Sequence, residues 1–193
     1  MYAIVKDGVI TATGNIKQLF PNTSFAGGVA NADFKTAEGV VDIVQGERKD
    51  QKYYFVTQGN VELVDGVPTQ QYTNTAKRLN DEDAKDADGN QLYVQVWDED
   101  TNRMVDTSEK LVNQGLKTVM IAKVKNIANT RLASTDWMVI RKYERDVAIP
   151  SATATYRAAV ITECARLETA ITNASDVDAL ATVMAGQNWP KED

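Results

Sequence analysis

Residues 106–133 read DTSEKLVNQGLKTVMIAKVKNIANTRLA, and the period of the chain changes within them. Leu116, Met120, Val124, Ile127 and Ala128 recur at three- and four-residue steps, which lays them along one face of a helix. Asp106, with Glu109 three positions on, has the arrangement of a capping box. The predicted helix therefore runs from Asp106 to about Ala133 and stops before the polar cluster Ser134-Thr135-Asp136. Gly115 weakens it locally. A helix of about 25 residues is longer than a small domain needs. The stripe Leu116, Met120, Val124 and Ile127 is thus the candidate interface, on a helix that acts as a spine or as one strand of an oligomeric coil.

Upstream, the chain reads as strands and turns. Tyr2-Ala-Ile-Val5 and Val9-Ile10 flank Lys6-Asp7-Gly8, and Asp-Gly between apolar runs predicts a hairpin. The stretch Leu19 to Phe25 is irregular, broken by Pro21 and an Asn/Thr/Ser cluster. Val40–Val44 and Tyr53–Val56 are β-branched and aromatic, hence strands. A second hairpin turns at Asp65-Gly66, with Pro68 marking an edge strand or a strand start. Gln91 to Trp97 alternates cleanly, with Leu92, Val94 and Val96 on one face and Tyr93, Gln95 and Trp97 on the other. Cover by the rest of the fold is the expected fate of those aromatics, with contact to a partner chain as the alternative.

Between these strands lies an acidic loop, Asn80 to Asn90. Aligning Gly89 with the glycine of a calcium-binding EF-hand loop puts Asp86 and Asp88 on ligand positions. The first ligand position is then Ala84 and the closing acid is Gln95, so a solvated turn is the reading adopted.

Downstream, Tyr156, Val160, Cys164, Leu167, Ile171 and Ala174 predict a helix over about 151–174. Pro150 sets the chain direction before it, and Ser151 or Thr153 is the expected cap. A third helix over 176–185 is expected, capped by Ser175 with Asp178 in the reciprocal position and ended by Gly186 in a left-handed conformation. The expected fold is therefore α+β. A β-rich region spans 1–105; a long connecting helix (106–133) and small helices occupy 106–193.

Composition narrows the function classes. The 193 residues carry 21 Lys and Arg against 27 Asp and Glu, a formal net charge of -6, which argues against general nucleic-acid binding. Lys117, Lys123, Lys125 and Arg131 cluster on the long helix and read as a solvated face. No apolar run approaches the length of a membrane span, and the first seven residues lack the features of a secretory leader. The single cysteine, Cys164, lies on an apolar stripe and is expected to be a buried, inert thiol. The chain has no histidine, so the commonest general base and transition-metal ligand is missing. Catalytic motifs, metal-ligand spacings and phosphate loops are also missing, and no cofactor is expected.

One ordered set of motifs remains: Thr135-Asp136-Trp137, Ile149-Pro150, Tyr156-Arg157 and Trp189-Pro190. In this order they resemble the C-terminal region of bacteriophage tail-fibre assembly proteins and related small tail proteins. Phe20-Pro-Asn-Thr-Ser-Phe25, Leu63-Val-Asp-Gly66 and Gln70-Gln71-Tyr72 extend the resemblance more loosely towards the N-terminus. It implies a non-enzymatic protein that binds a tail fibre or another tail or baseplate component, in the cytoplasm of the infected bacterium or in the virion tail. A structural subunit of the mature tail is the second reading, and a carboxylate-dependent glycan hydrolase the third. Asp136, Trp137, Pro150, Tyr156, Arg157, Trp189 and Pro190 are expected to be architectural. The Trp137 indole is expected to be buried, with Arg157 pairing with Asp136 or Glu144. Self-association is also expected; nucleic acid and membrane are not expected partners.

Overall fold

The computed structural model describes residues 1–191 and is a mixed α+β fold, with most strands in the first half and the longer helices in the second. It divides into two compact units, Met1–Ala76 and Lys77–Asp193.

The first unit opens with the expected hairpin, β1 (Tyr2–Lys6) against β2 (Val9–Gly14). Its turn residues Asp7 and Gly8 have φ of 52° and 73°, the doubly left-handed turn that fits the twist of paired strands. β3 (Val40–Asp42) pairs with the other edge of β1. Two short helices between β2 and β3 depart from the all-strand expectation. α1 (Ile16–Leu19) is closed by a reciprocal Asn15–Gln18 cap, and α2 (Ala32–Glu38) by the side chain of Asn31. They bring Phe20 and Phe25 edge-on to Phe34, both at 5.0 Å, over a core of Ile16, Ala30 and Val40.

A second sheet in this unit has the order β4-β6-β5. β5 (Tyr54–Val64) and β6 (Val67–Ala76) form a long hairpin turning at Asp65-Gly66, as expected. β4 (Val44–Gln45) joins β6 in parallel, at Thr69 and Gln70 only. Pro68 is buried and sits second in its strand, so the strand-start alternative is the one observed.

In the second unit, β7 (Glu82–Asp83) pairs with β10 (Val112–Asn113), and β8 (Tyr93–Asp98) with β9 (Arg103–Lys110). The helices that follow are α3 (Leu116–Ala133), α4 (Asp136–Arg145), α5 (Ser151–Asn173) and α6 (Val177–Ala185).

The long helix therefore begins ten residues later than the sequence predicts. Asp106 lies in β9, opposite Gln95, and Glu109 donates its backbone N–H to Thr107 instead of completing a cap. The helix start is supplied from a distance. Asp81 accepts from the Gly115 N–H at 2.7 Å and from the Thr118 hydroxyl at 2.9 Å. The carbonyls of Arg78 and Leu79 take the next two N–H groups, those of Leu116 and Lys117. A helix N-terminus leaves four orphan donors, and three of them here, on Gly115, Leu116 and Lys117, are taken by residues 34 to 38 positions upstream. Gly115 permits the approach, since a Cβ there would lie 2.4 Å from the Asn80 carbonyl oxygen. The same contacts tie the residues just after Ala76 to α3 and so fit a division of the compact units there rather than near residue 105.

The stripe proposed as an interface is core. Leu116, Met120, Val124 and Ala128 are buried, with Ile127 half-buried, where α3 packs on α5. From α5 come Val160, Leu167 and Ile171, and from α6 Val177, Leu180 and Met184. Cys164 is only half-buried, and Glu163 is the buried member of that turn. Asp176 rather than Ser175 caps α6, and Gly186 ends it with φ of −86°, outside the left-handed region.

Candidate partner-binding junction

The motif residues converge at one place in the second unit: the break between α3 and α4, the first turns of α5, and the chain after α6. Pro150 is the residue before α5, in an extended conformation that hands the chain to the helix. This fixes Tyr156 and Arg157 in the second turn. Arg157 donates to the Leu132 carbonyl at 2.9 Å and the Thr135 hydroxyl at 2.6 Å, and pairs with Asp136 at 2.8 Å. Thr135 is 5% exposed, and its hydroxyl in turn donates to Leu132 at 3.0 Å. Asp136 is thus the partner of Arg157, as the motif order suggested. Tyr156 directs its hydroxyl to the Arg131 carbonyl at 3.5 Å.

The terminal Trp-Pro is held to the same frame. Arg131 donates to the Pro190 carbonyl at 3.0 Å, with its guanidinium 5.5 Å from the Trp189 ring. One residue before Trp189, the Asn188 N–H donates to Glu163 at 2.7 Å, and Glu163 forms a two-pronged pair with Arg166, both contacts at 2.7 Å. Arg166 also reaches the Gly186 carbonyl. The Arg166 pair, with the Asn188 N–H, holds the Glu163 carboxyl below its ordinary value. Among the basic residues of α3, Lys125 pairs with Glu168 at 3.1 Å and Arg131 is engaged by the chain end; Lys123 is solvated. Burial, and then Glu168, push the Cys164 thiol up, which keeps it protonated and a poor nucleophile.

A cavity of about 490 Å³ opens beside this junction, lined by Thr135, Met138, Thr153, Tyr156, Ala159 and Pro190, among others. Its lining contains no carboxylate, so the acid pair that glycoside hydrolysis needs is not found there. The acidic loop is closed on itself: Asp86 accepts from the backbone of Asp88 and Asn90 and from the Asn90 side chain. These bonds hold the Asp86 carboxyl below its ordinary value, the Asn90 side chain contributing first.

Trp137 departs from expectation. It is 51% exposed and lies in the first turn of α4, a helix the sequence does not predict. α4 buries none of its ten residues. Met138 turns inward to the cavity, whereas Trp137, Ile140 and Tyr143, spaced by three, run down the outer side. Tyr143 is 93% exposed. The Arg141 guanidinium lies 4.7 Å over the Trp137 ring, and its buried Nε has no hydrogen-bond partner among the described residues. The sequence carries this pattern in DWMVIRKYER, but the Ser-Thr-Asp cluster before it reads as a stop rather than a two-residue break.

Compared with models of known protein families, with curated proteins and with solved structures, the chain matches none.

Proposed function

We propose that this protein works by contact rather than turnover, as a phage tail protein that binds a tail fibre or another tail component and assists its assembly or attachment. The ordered Thr135-Asp136-Trp137, Ile149-Pro150, Tyr156-Arg157 and Trp189-Pro190 set supports the phage assignment by resemblance. The single observation that carries the binding reading is the outer face of α4. A ten-residue helix is marginal in isolation, yet this one presents Trp137, Ile140 and Tyr143 to solvent and is tied at its start to Arg157. Trp and Tyr are among the residue types most enriched where binding energy concentrates, and Trp137 and Tyr143 both stand on this face. Such a face would shield exposed apolar surface or unpaired strands of a fibre until it assembles. The test is co-expression with the tail and fibre proteins of its own genome, followed by affinity capture. Association with at least one of them, insensitive to chelation of divalent metal, supports the proposal. No association, together with hydrolysis of a polysaccharide, would replace it with the enzyme reading.

A further inference from the structure

We infer that β8 is a self-association edge, through which two copies of this chain pair antiparallel about Gln95 to give a four-stranded sheet. β8 and β9 stand as a two-stranded sheet, an arrangement marginal in water without further strands or a covering layer. Among the described residues neither covers its central part: Trp97 is 54% exposed, Met104 opposite it 50%, and Val96 47%.

The two edges differ in chemistry. From Tyr93 to Trp97 the β8 edge has no charge and no proline, the residues that natural sheets place on edges to prevent pairing; Gln91 and Leu92 before it are already paired with Lys85 and Ala84, and Asp98 closes the strand. β9 carries Arg103, Asp106, Glu109 and Lys110. Full antiparallel self-pairing of β9 would set Arg103 opposite Lys110 at both ends, and a one-residue shift would set Asp106 opposite its own copy. Like charges directly opposed are unfavourable, so that edge is protected.

β8 is self-complementary. Antiparallel pairing centred on Gln95 places Tyr93 opposite Trp97 of the second copy, twice by symmetry, and Val94 opposite Val96. Aromatic and β-branched cross-strand pairs are the favourable ones, and the same patch on both copies is what a twofold interface requires. The exposed area of the whole chain leaves room for an interface of this size. The chain exposes 13,024 Å². Two separate compact bodies of the sizes of its two units would expose about 11,000 Å² together. The excess of about 2,000 Å² is at least what a stable interface takes from one partner.

The test is sedimentation equilibrium of the full chain over a concentration series, with cross-linking to locate the contact. Wild-type protein is expected at twice the monomer mass. Val96→Lys, which adds an edge charge, should weaken the dimer at least tenfold with an unchanged circular dichroism spectrum. In a Cys164→Ser background, Gln95→Cys should form a disulfide-linked dimer on mild oxidation, whereas Asp106→Cys on the protected strand should not. The cross-link decides the matter even if Val96→Lys folds poorly. A monomer at every concentration would overturn the inference. So would a dimer that Gln95→Cys fails to link, or growth into open-ended aggregates instead of a dimer.

Discussion

Arg157 donates to the hydroxyl of the buried Thr135 at 2.6 Å, and that hydroxyl in turn donates a hydrogen bond to the Leu132 carbonyl at 3.0 Å. The break between α3 and α4 is thus held from α5, with the Asp136 ion pair outside it. The two layers are separable. Hydrogen bonds from a charged group to protein partners contribute about 1.5–3 kcal/mol. Exposed ion pairs contribute about 0–1 kcal/mol. Arg157→Met is therefore expected to cost about 2 kcal/mol in urea unfolding, and Asp136→Asn about 0.5 kcal/mol or less. Equal losses would mean that the ion pair, not the backbone clamp, holds the junction.

The exposure of Trp137 sets a second stability expectation. Burying a large aromatic makes its truncation to alanine cost about 3–5 kcal/mol. With its indole half in solvent, Trp137→Ala should cost about 1 kcal/mol or less, as surface changes do. A melting-temperature drop as large as that of Leu167→Ala would show that the ring is covered in solution.

The remote cap of α3 gives a third expectation. Asp81→Ala removes acceptors for the Gly115 N–H and the Thr118 hydroxyl and should cost about 0.5–2 kcal/mol, as loss of a helix cap does. Hydrogen exchange should speed up at the first turn of α3 and leave its second half unchanged. Gly115→Ala should be worse than Asp81→Ala, because its new Cβ meets backbone.

Much of this fold was legible in the sequence, and the failures share a physical cause. Both Asp-Gly hairpins and the α5 stripe follow from local chemistry: left-handed turn residues between apolar runs, and unbroken helical spacing. The start of α3 does not, because Asp106 and Glu109 satisfy a capping pattern that strand pairing with β8 overrides, while the real cap comes from Asp81. A stripe such as Leu116, Met120 and Val124 states that a face is buried without saying against what; here it is α5. The motif residues were legible as a group, and Arg157 with Asp136 as a pair. The exposure of Trp137 was not, since an aromatic beside a helix boundary has the same letter whether covered or open.

Acid should act through Glu163. Its carboxyl is held below the ordinary 4.5, first by the hydrogen bond from Arg166. A depressed folded value adds stability that is complete above the unfolded value and is lost as pH falls through the folded one. Unfolding free energy should therefore decline as pH drops below about 4.5, the ordinary value. Glu163→Gln should be less stable near neutrality and should flatten that decline. A parallel acid profile for wild type and variant would assign the transition to other carboxylates.

The central claim is that the outer face of α4 engages a tail component, and it is tested most directly by one affinity comparison. Once a tail or fibre partner has been captured, its Kd is measured by calorimetry for wild type and for Tyr143→Asp. The tyrosine is 93% exposed, so the substitution leaves the fold intact, and a charge placed in an apolar contact weakens it. The expected result is at least a tenfold weaker Kd with an unchanged melting temperature. An unchanged Kd for Tyr143→Asp, and likewise for Ile140→Asp, would show that the partner binds elsewhere and would contradict the claim.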